Sequence, residues 1–297
     1  MFGPGDNRDG QAPDLSIVIA SYNASKTLAD QLEALTAESW GGTWEVIVVD
    51  NNSTDSTFNL ASRVAMNFPR LRIMRATKGQ GPSYARNVGA RAAIGRSLAF
   101  CDADDVIAPG WVGAMGEALA TNEFVTGPVE LELLNPTWLA SSKGTSGTRD
   151  LVWFDDLFPF ASSCNLGVAR ERFLAMGGFD ETLAVGEDTE LSLRLHLAGI
   201  QLQFRDEATI HYRYRAGAAD SFRQAIAYGA ARPVIAERLV KLGGKQADRW
   251  NGARNWAWLL RHIALLGNRA GRSRWLWVAG QRIGSLKGSV KVRRLYL

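Results

Sequence analysis

From Leu15 onward the chain alternates short apolar runs with longer amphipathic stretches, the pattern of a sheet built from β-α units. Leu15 to Ala20 predicts the first strand, followed by a helix that starts near Ser25, a good N-cap, and ends before Gly41-Gly42. A second strand spans Trp44 to Val49, and a second helix runs from Ser53 to Phe68, where Pro69 stops it. The scheme repeats as a strand over Leu71 to Arg75, a helix over Ser83 to Ile94 and a strand over Ser97 to Cys101. These strands are almost wholly apolar, as expected where helices cover both faces of a mostly parallel sheet. Later, Glu187-Asp188 opens a helix whose Leu191, Leu195 and Ala198 share one face, and Leu202 to Arg205 and Ala208 to Ile210 read as strands.

In open sheets of this kind ligands bind beyond the carboxyl ends of the strands. Each polar cluster of the first half falls at such an end: Ser21-Tyr22-Asn23, Asp50-Asn51-Asn52-Ser53-Thr54-Asp55, Lys78-Gly79-Gln80-Gly81 and Asp102-Ala103-Asp104-Asp105. The last presents three carboxylates within four residues. Hard divalent cations take oxygen ligands, and a protein that shares the ion with a substrate diphosphate contributes only one or two carboxylates. Alone, such a turn reads equally as a solvated cap on the helix that starts near Trp111. Four clusters converging on one edge favour a nucleotide or phosphorylated ligand over four unrelated loops.

At 297 residues, 46% hydrophobic and 22% charged, the chain can bury a full core as one large domain or one domain with an appendage, and neither disorder nor collagen-like repetition fits. Cys101 and Cys164 both lie in apolar surroundings and read as buried free thiols, with no secretory disulfide pattern. Residues 1–14 lack an apolar core and predict a disordered leader. No run reaches the roughly eighteen uninterrupted apolar residues a spanning helix needs; the stretch Trp256-Ala257-Trp258-Leu259-Leu260 is broken by Arg261 and His262. A cytoplasmic protein without transmembrane spans is expected.

Six segments in order carry a more specific signal: Ser21-Tyr22-Asn23, Val49-Asp50-Asn51-Asn52-Ser53-Thr54-Asp55, Ala85-Arg86-Asn87-Val88-Gly89, Asp102-Ala103-Asp104-Asp105, Gly177-Gly178-Phe179-Asp180-Glu181 and Gly186-Glu187-Asp188-Thr189-Glu190. Over roughly residues 15 to 215 the chain resembles the inverting, metal-dependent glycosyltransferases of the GT-A fold, family 2. The resemblance implies an α/β fold, a Rossmann-like mixed and mostly parallel sheet flanked by helices. It implies a nucleotide-sugar donor, a UDP-sugar favoured, held by Ala20, Tyr22, Asn23, Asp50, Asn51, Lys78, Gly81, Arg86, Asp102 and Ala103. The family often has a second Asp where this chain has Asn51, which alters the base-edge contact because an amide both donates and accepts. The resemblance assigns Mn²⁺ or Mg²⁺ to Asp104, Asp102 and His211, and the base that deprotonates the incoming hydroxyl to Asp188, with Glu187 beside it. Gly178, Phe179 and Asp180 would wall the acceptor side. Residue by residue, plainer readings stay open: Ser53 and Asp55 as helix caps, Arg86 as a surface arginine, Glu187 and Asp188 as acids stabilising a helix dipole, His211 as an ordinary core or surface histidine, and Arg213 and Arg215 as solvated rather than phosphate-binding. Asp105 reads as scaffold, and Trp153, Phe154, Asp155 and Asp156 have no assigned place beyond an acceptor-side loop.

The composition then divides the chain into the leader 1–14, a catalytic region 15–216 with a nucleotide half 15–105 and an acceptor half 106–216, and a helical extension 217–297. From Lys241 to the end there are thirteen Lys and Arg and one acid, Asp248, so the net charge of +4 is carried by this tail. Trp250, Trp256, Trp258, Trp275 and Trp277 are interleaved with the cations. Amphipathic helices of this composition lie in the interface of an anionic membrane, here the inner face, where a glycan or lipid-linked acceptor could be presented. Basic and aromatic residues also bind single-stranded nucleic acid, but no nucleic-acid motif is present and no such partner is expected. The third reading packs the tryptophans on the catalytic region. Two functional alternatives remain beside transfer: a non-catalytic nucleotide-sugar or lipid-binding protein on the same fold, and a nucleotidyltransferase, which would want a Gly-rich phosphate loop where Ser21-Tyr22-Asn23-Ala24-Ser25 stands.

Overall fold

The computed structural model describes residues 12–143, 149–215, 217–245 and 252–296. The first half follows the β-α alternation: β1 Leu15–Ser21, α1 Leu28–Ala37, β2 Trp44–Asp50, α2 Thr57–Ala65, β3 Leu71–Arg75, α3 Pro82–Ala92 and β4 Ser97–Asp102. Then come β5 Val106–Ile107, α4 Trp111–Leu119, β6 Phe124–Thr126, β7 Val129–Glu130, α5 Thr137–Lys143, the hairpin β8 Val152–Phe154 and β9 Phe158–Phe160, β10 Leu166–Ala169, α6 Arg170–Ala175, α7 Glu187–Leu197, β11 Gln203–Phe204 and β12 Ile210–His211. The main sheet has the order β11-β6-β10-β4-β1-β2-β3, with only β10 antiparallel to its neighbours. Val18 of β1 lies opposite Ile47 on one side and Phe100 on the other, and all three are fully buried. Helices therefore cover both faces, which is why these strands tolerate no polar alternation. α3 lies close over β1 at Gly89, where a Cβ would stand 2.4 Å from a Val18 methyl.

The helix starts differ from expectation for a common reason. α1 begins at Leu28 rather than near Ser25, and α2 at Thr57 rather than Ser53. Ser53 does not cap its own helix, and both it and Asp55 accept hydrogen bonds from the other loop, from the backbone N–H groups of Asn23 (3.0 Å) and Ser25 (3.1 Å) respectively, tying the loop after β2 to the loop after β1. Asp55 also receives the Thr57 N–H at 2.9 Å, and these bonds hold its carboxyl below the usual range against the opposing effect of burial. The first, second and fourth strands each run one residue farther than predicted, to Ser21, Asp50 and Asp102, so the functional side chains sit on strand ends rather than in free loops. Cys101 and Cys164 are buried free thiols.

The extension folds as α8 Ala218–Lys241, α9 Ala253–Arg261, a 3-10 turn Ile263–Gly267 and α10 Arg269–Val292. α8 and α10 run side by side in the same direction in close contact. Gly280 meets Ala225, Gly284 meets Ile226 and Ala230, and Gly288 meets Ala230 and Pro233, a Cβ at Gly284 being only 2.1 Å from the Ile226 carbonyl. The pair is also bound to the catalytic region: Arg238 pairs with Asp180 (2.5 Å) and Glu190 (3.0 Å), Ser142 of α5 donates to Ser273 or receives from it at 3.2 Å, and Arg269 covers the Trp138 ring at 3.9 Å. Trp275 donates its indole N–H to the Leu259 carbonyl at 3.0 Å. Most of the tail thus packs on protein, and the amphipathic character expected of the whole is concentrated around α9, where Leu260 and Ile263 are exposed beside Arg254, Arg261 and Arg269. Among the described residues no helix is long and apolar enough to cross a membrane. Residues 1–11 of the expected leader, with Asp248, Arg249 and Trp250 of the tail, lie outside the described residues.

Candidate active site

Among the described residues, two cavities at the carboxyl edge of the sheet and a neighbouring hollow are lined by several of the predicted site residues. The first, of about 540 Å³, is lined by Ala20, Ser21 and Tyr22 from the end of β1, by Asn51 after β2, by Gly81 to Ser83 and Ala85 at the start of α3, and by Glu181 to Ala184. Tyr22 is 62% exposed, its ring free to meet a flat ligand. Asn23 sits at φ 49° and accepts the Thr54 N–H at 2.8 Å, which fixes the loop on which Tyr22 stands. Asn51 is turned to the protein: its amide donates to the carbonyls of Ala76 (2.6 Å) and Gly79 (2.9 Å) and accepts the Gly81 N–H (2.8 Å). An amide can close this loop in both directions and a carboxylate could not, so the departure from the family pattern has a structural consequence before any ligand is considered. Asp50 is buried, faces a neighbouring hollow with Ser53, Arg75 and Thr77, and its Oδ1 has no hydrogen-bond partner among the described residues. Lys78 is exposed on the same loop.

Arg86 does not lie on the surface. It is buried, with one guanidinium nitrogen 2.6 Å from Asp102 Oδ1 and another 2.9 Å from Glu187 Oε1. Burial opposes its charge, but Asp102 and then Glu187 more than offset this and hold it protonated. The arginine joins the end of β4 to the start of α7, that is, the acidic turn to the second acidic centre. Asn87 beside it clamps the next loop, donating to the Phe179 carbonyl (2.8 Å) and accepting the Phe179 N–H (2.9 Å). Gly178 in that loop has φ 73°, and a Cβ there would stand 2.6 Å from Asn87 Oδ1.

In the acidic turn, carboxylate oxygens of Asp102, Asp104 and Asp105 lie within 4.8 Å of one another. Asp105 is buried and receives the Arg213 N–H at 2.8 Å, the scaffold role expected of it, while its Oδ2 has no partner among the described residues. Burial, then Asp102 and Asp104, push its carboxyl well up. Asp104 projects from the turn and remains accessible, yet the protein around it and the charge of Asp102 raise its carboxyl to about 6. Three carboxylates crowded this closely fit a divalent cation, whose charge would relieve both their repulsion and their desolvation. Arg213 runs along the turn and donates to the Asp104 carbonyl at 2.9 Å and to Asp30 at 3.1 Å, so it braces the turn rather than standing solvated. His211 lies outside this group; its Nδ1 meets Glu130 Oε2 at 2.7 Å across β12 and β7. Ala103 is buried between the two strand-end acids.

The second cavity, of about 340 Å³, has Asp102 and Asp188 in its wall. Asp188 stands in the first turn of α7 and receives the N–H of Ser163 at 3.0 Å and that of Thr189 at 2.6 Å. Glu187 next to it is buried against Arg86; burial first, and Asp188 second, raise its carboxyl to about 7, with Arg86 opposing. The expected acceptor wall differs. Phe179 is in the core, its ring 5.1 Å from Phe100 and 5.2 Å from Phe173, and Asp180 is held by Arg238 and Thr182. Their loop borders the first cavity, through Glu181 to Ala184, rather than the second. The second is closed instead by the unplaced hairpin, with Phe154 and Phe160, and by Tyr228, Arg232, Trp277 and Gln281 of α8 and α10. Asp155 and Asp156 make the hairpin turn at φ 48° and 57°, and Asp155 pairs with Arg232. The tail residues escaped the sequence reading because nothing in a basic helix marks which of its side chains will meet a site far away in the chain.

The sequence model described as glycosyl transferase family 2 matches residues 16–171. The chain is 29% identical over 220 residues to the succinoglycan biosynthesis protein ExoO of Rhizobium meliloti strain 1021, an alignment that takes in 70% of this chain and 62% of that protein, so the chain spans less than two thirds of that relative's length. Among solved structures, the mannosyltransferase PcManGT of Pyrobaculum calidifontis, in complex with GDP-mannose and Mn²⁺, superposes with a TM-score of 0.63 at 19% identity, covering 97% of this chain and 89% of that one. S. aureus TarS residues 1–349 with UDP-GlcNAc gives 0.54 at 18% identity, covering 95% and 93%. At such identities these two likenesses establish the GT-A fold.

Proposed function

The chain belongs to glycosyl transferase family 2, and on that premise we propose that it transfers a sugar from a nucleotide-diphosphate donor, a UDP-sugar favoured, to a hydroxyl acceptor with inversion. The observation that carries the reading is Arg86, which ties Asp102 of the acidic turn to Glu187 beside Asp188. The first cavity would take the nucleotide, with Tyr22 against the base and the start of α3 toward the phosphates, where backbone N–H groups favour anions. Asp102 and Asp104 would hold Mn²⁺ or Mg²⁺; His211, with Nδ1 occupied by Glu130, keeps only Nε2 for a part in that shell. When bound, the ion would neutralise charge on the departing diphosphate. Asp188 would accept the proton of the incoming hydroxyl from the second cavity, and Arg86 would fix the distance between the two acidic centres. Release of nucleotide from a panel of UDP- and GDP-sugars should require added Mn²⁺ or Mg²⁺ and fall about 1,000-fold in Asp104→Ala; full-rate turnover in EDTA would overturn the metal assignment. Donor binding without any turnover would instead favour a non-catalytic binding protein.

The exposed apolar and basic surface around α9 supports peripheral attachment to the anionic inner face of a membrane, with the protein cytoplasmic. Deleting the tail would not test this, since α8 and α10 line the second cavity. The paired change Leu260→Asp and Ile263→Asp should abolish cosedimentation with phosphatidylglycerol vesicles, and unchanged sedimentation would refute attachment by this surface.

A further inference from the structure

The second cavity takes part of its wall from α8 and α10. That part of the wall is aromatic and amide-bearing: Tyr228 and Trp277 meet edge to face with ring centroids 6.0 Å apart, Tyr212 lines the same space, and Gln224 and Gln281 line it too. Gln224 donates to the Tyr228 hydroxyl at 3.3 Å, which leaves its amide oxygen to accept from an occupant. Rigid aromatic faces suit the C–H face of a pyranose, and amides that both donate and accept suit its hydroxyls. An acyl or polyprenyl chain in the same space would offer those amides no hydrogen-bond partner. A phosphate headgroup is poorly served as well, because Arg232, the cation in the wall, is already paired with Asp155. The volume, about 340 Å³, lies at the small end of the about 300–1,000 Å³ usual for small-molecule sites. It admits one or two sugar rings rather than a long chain.

Resting on the glycosyltransferase reading above, we propose that the group accepting the transferred sugar is itself a sugar residue of a glycan, seated between Asp188 and the α8–α10 pair, with Trp277 and Gln281 determining which glycan is used. The hydroxyl nearest Asp188 loses its proton to that carboxylate as its oxygen bonds to the donor's anomeric carbon and the nucleoside diphosphate departs. Acceptor choice then lies in the region of the chain outside the family-matched residues 16–171.

The test uses the full-length chain labelled with 5-fluorotryptophan, the Trp277 resonance being identified by its loss in Trp277→Phe. Methyl glycosides of glucose, galactose and mannose, with cellobiose and maltose, are titrated in the presence of Mn²⁺ and UDP. At least one saccharide should move the Trp277 resonance, and Gln281→Leu, close in size, should weaken that binding about tenfold, the worth of one good hydrogen bond. With that saccharide as acceptor, Gln281→Leu should raise acceptor KM against donor KM. A Trp277 resonance that ignores every saccharide while nucleotide sugars are still turned over would overturn the inference and spare the family reading. Movement by vesicles carrying undecaprenyl phosphate, and not by saccharides, would assign the cavity to a lipid acceptor. Absence of nucleotide-sugar turnover would remove both proposals together.

Discussion

The two cavities at the sheet edge are made in different ways. The first draws most of its wall from Ala20 to Ala85, contiguous β-α units whose loops are latched to one another by Asn23, Asn51, Ser53 and Asp55. The second draws on β7, the Val152–Phe160 hairpin, the start of α7, the segment after β12, and two helices beyond residue 217. A pocket made by neighbouring loops on parallel strands is a property of the fold and is preserved with it. A pocket whose far wall is an appended helix pair can change its occupant without disturbing the sheet. On the reading proposed above, donor handling and acceptor choice are physically separable, and Arg86, next to Ala85 of the first wall, pairs with Asp102 of the second.

Breaking the acceptor side at its chemical end should have the largest effect. Asp188→Asn keeps the hydrogen bond from Ser163 but cannot take a proton, and sugar transfer should fall about 10²- to 10⁴-fold. Calorimetric binding of the nucleotide sugar should be kept, and transfer at the wild-type rate would mean that another group is the base. Cutting the bridge comes next. Arg86→Met leaves Asp102 and Glu187 without their shared cation in a site from which Arg86 itself is excluded from water, at a cost of about 3–5 kcal/mol on folding stability. Urea unfolding measures it, and a loss below about 1 kcal/mol would mean that the pairs are effectively solvated. The smallest effect sharpens the comparison. Gly284→Ala forces a methyl toward the Ile226 carbonyl and should destabilise by about 1–3 kcal/mol through separation of α10 from α8. It should raise acceptor KM more than donor KM; equal changes in both would show that the helix pair supports the whole site rather than one side.

That the strand ends share one edge was legible because parallel β-α units force it, so that Tyr22, Asp50, Lys78 and Asp102 could be placed there from their positions in the sequence alone, although Tyr22, Asp50 and Asp102 face different hollows. Their individual roles were less so. Arg86 reads as a phosphate contact in a linear motif, and only the approach of α7 to β4 turns it into a bridge. Asn51 reads as a base contact, and the path of the 76–81 loop turns its amide inward. Phe179 and Asp180 read as acceptor-side residues, whereas the core claims one and Arg238 the other.

What the sequence determined by itself is the family, the alternating architecture and the position of the acidic turn, since these depend on hydrophobic periodicity and short-range spacing. What only the tertiary structure decided is the partnership between distant segments: which carboxylate faces which cavity, and that Trp277 and Gln281 line the same cavity as Asp188. The physical reason is that periodicity sets which face of a helix is buried but carries no information on what it is buried against. Here the glycines of α10 allow close packing on α8, and Ala231 and Ile235 of α8 against Gly186 bring that pair to the start of α7.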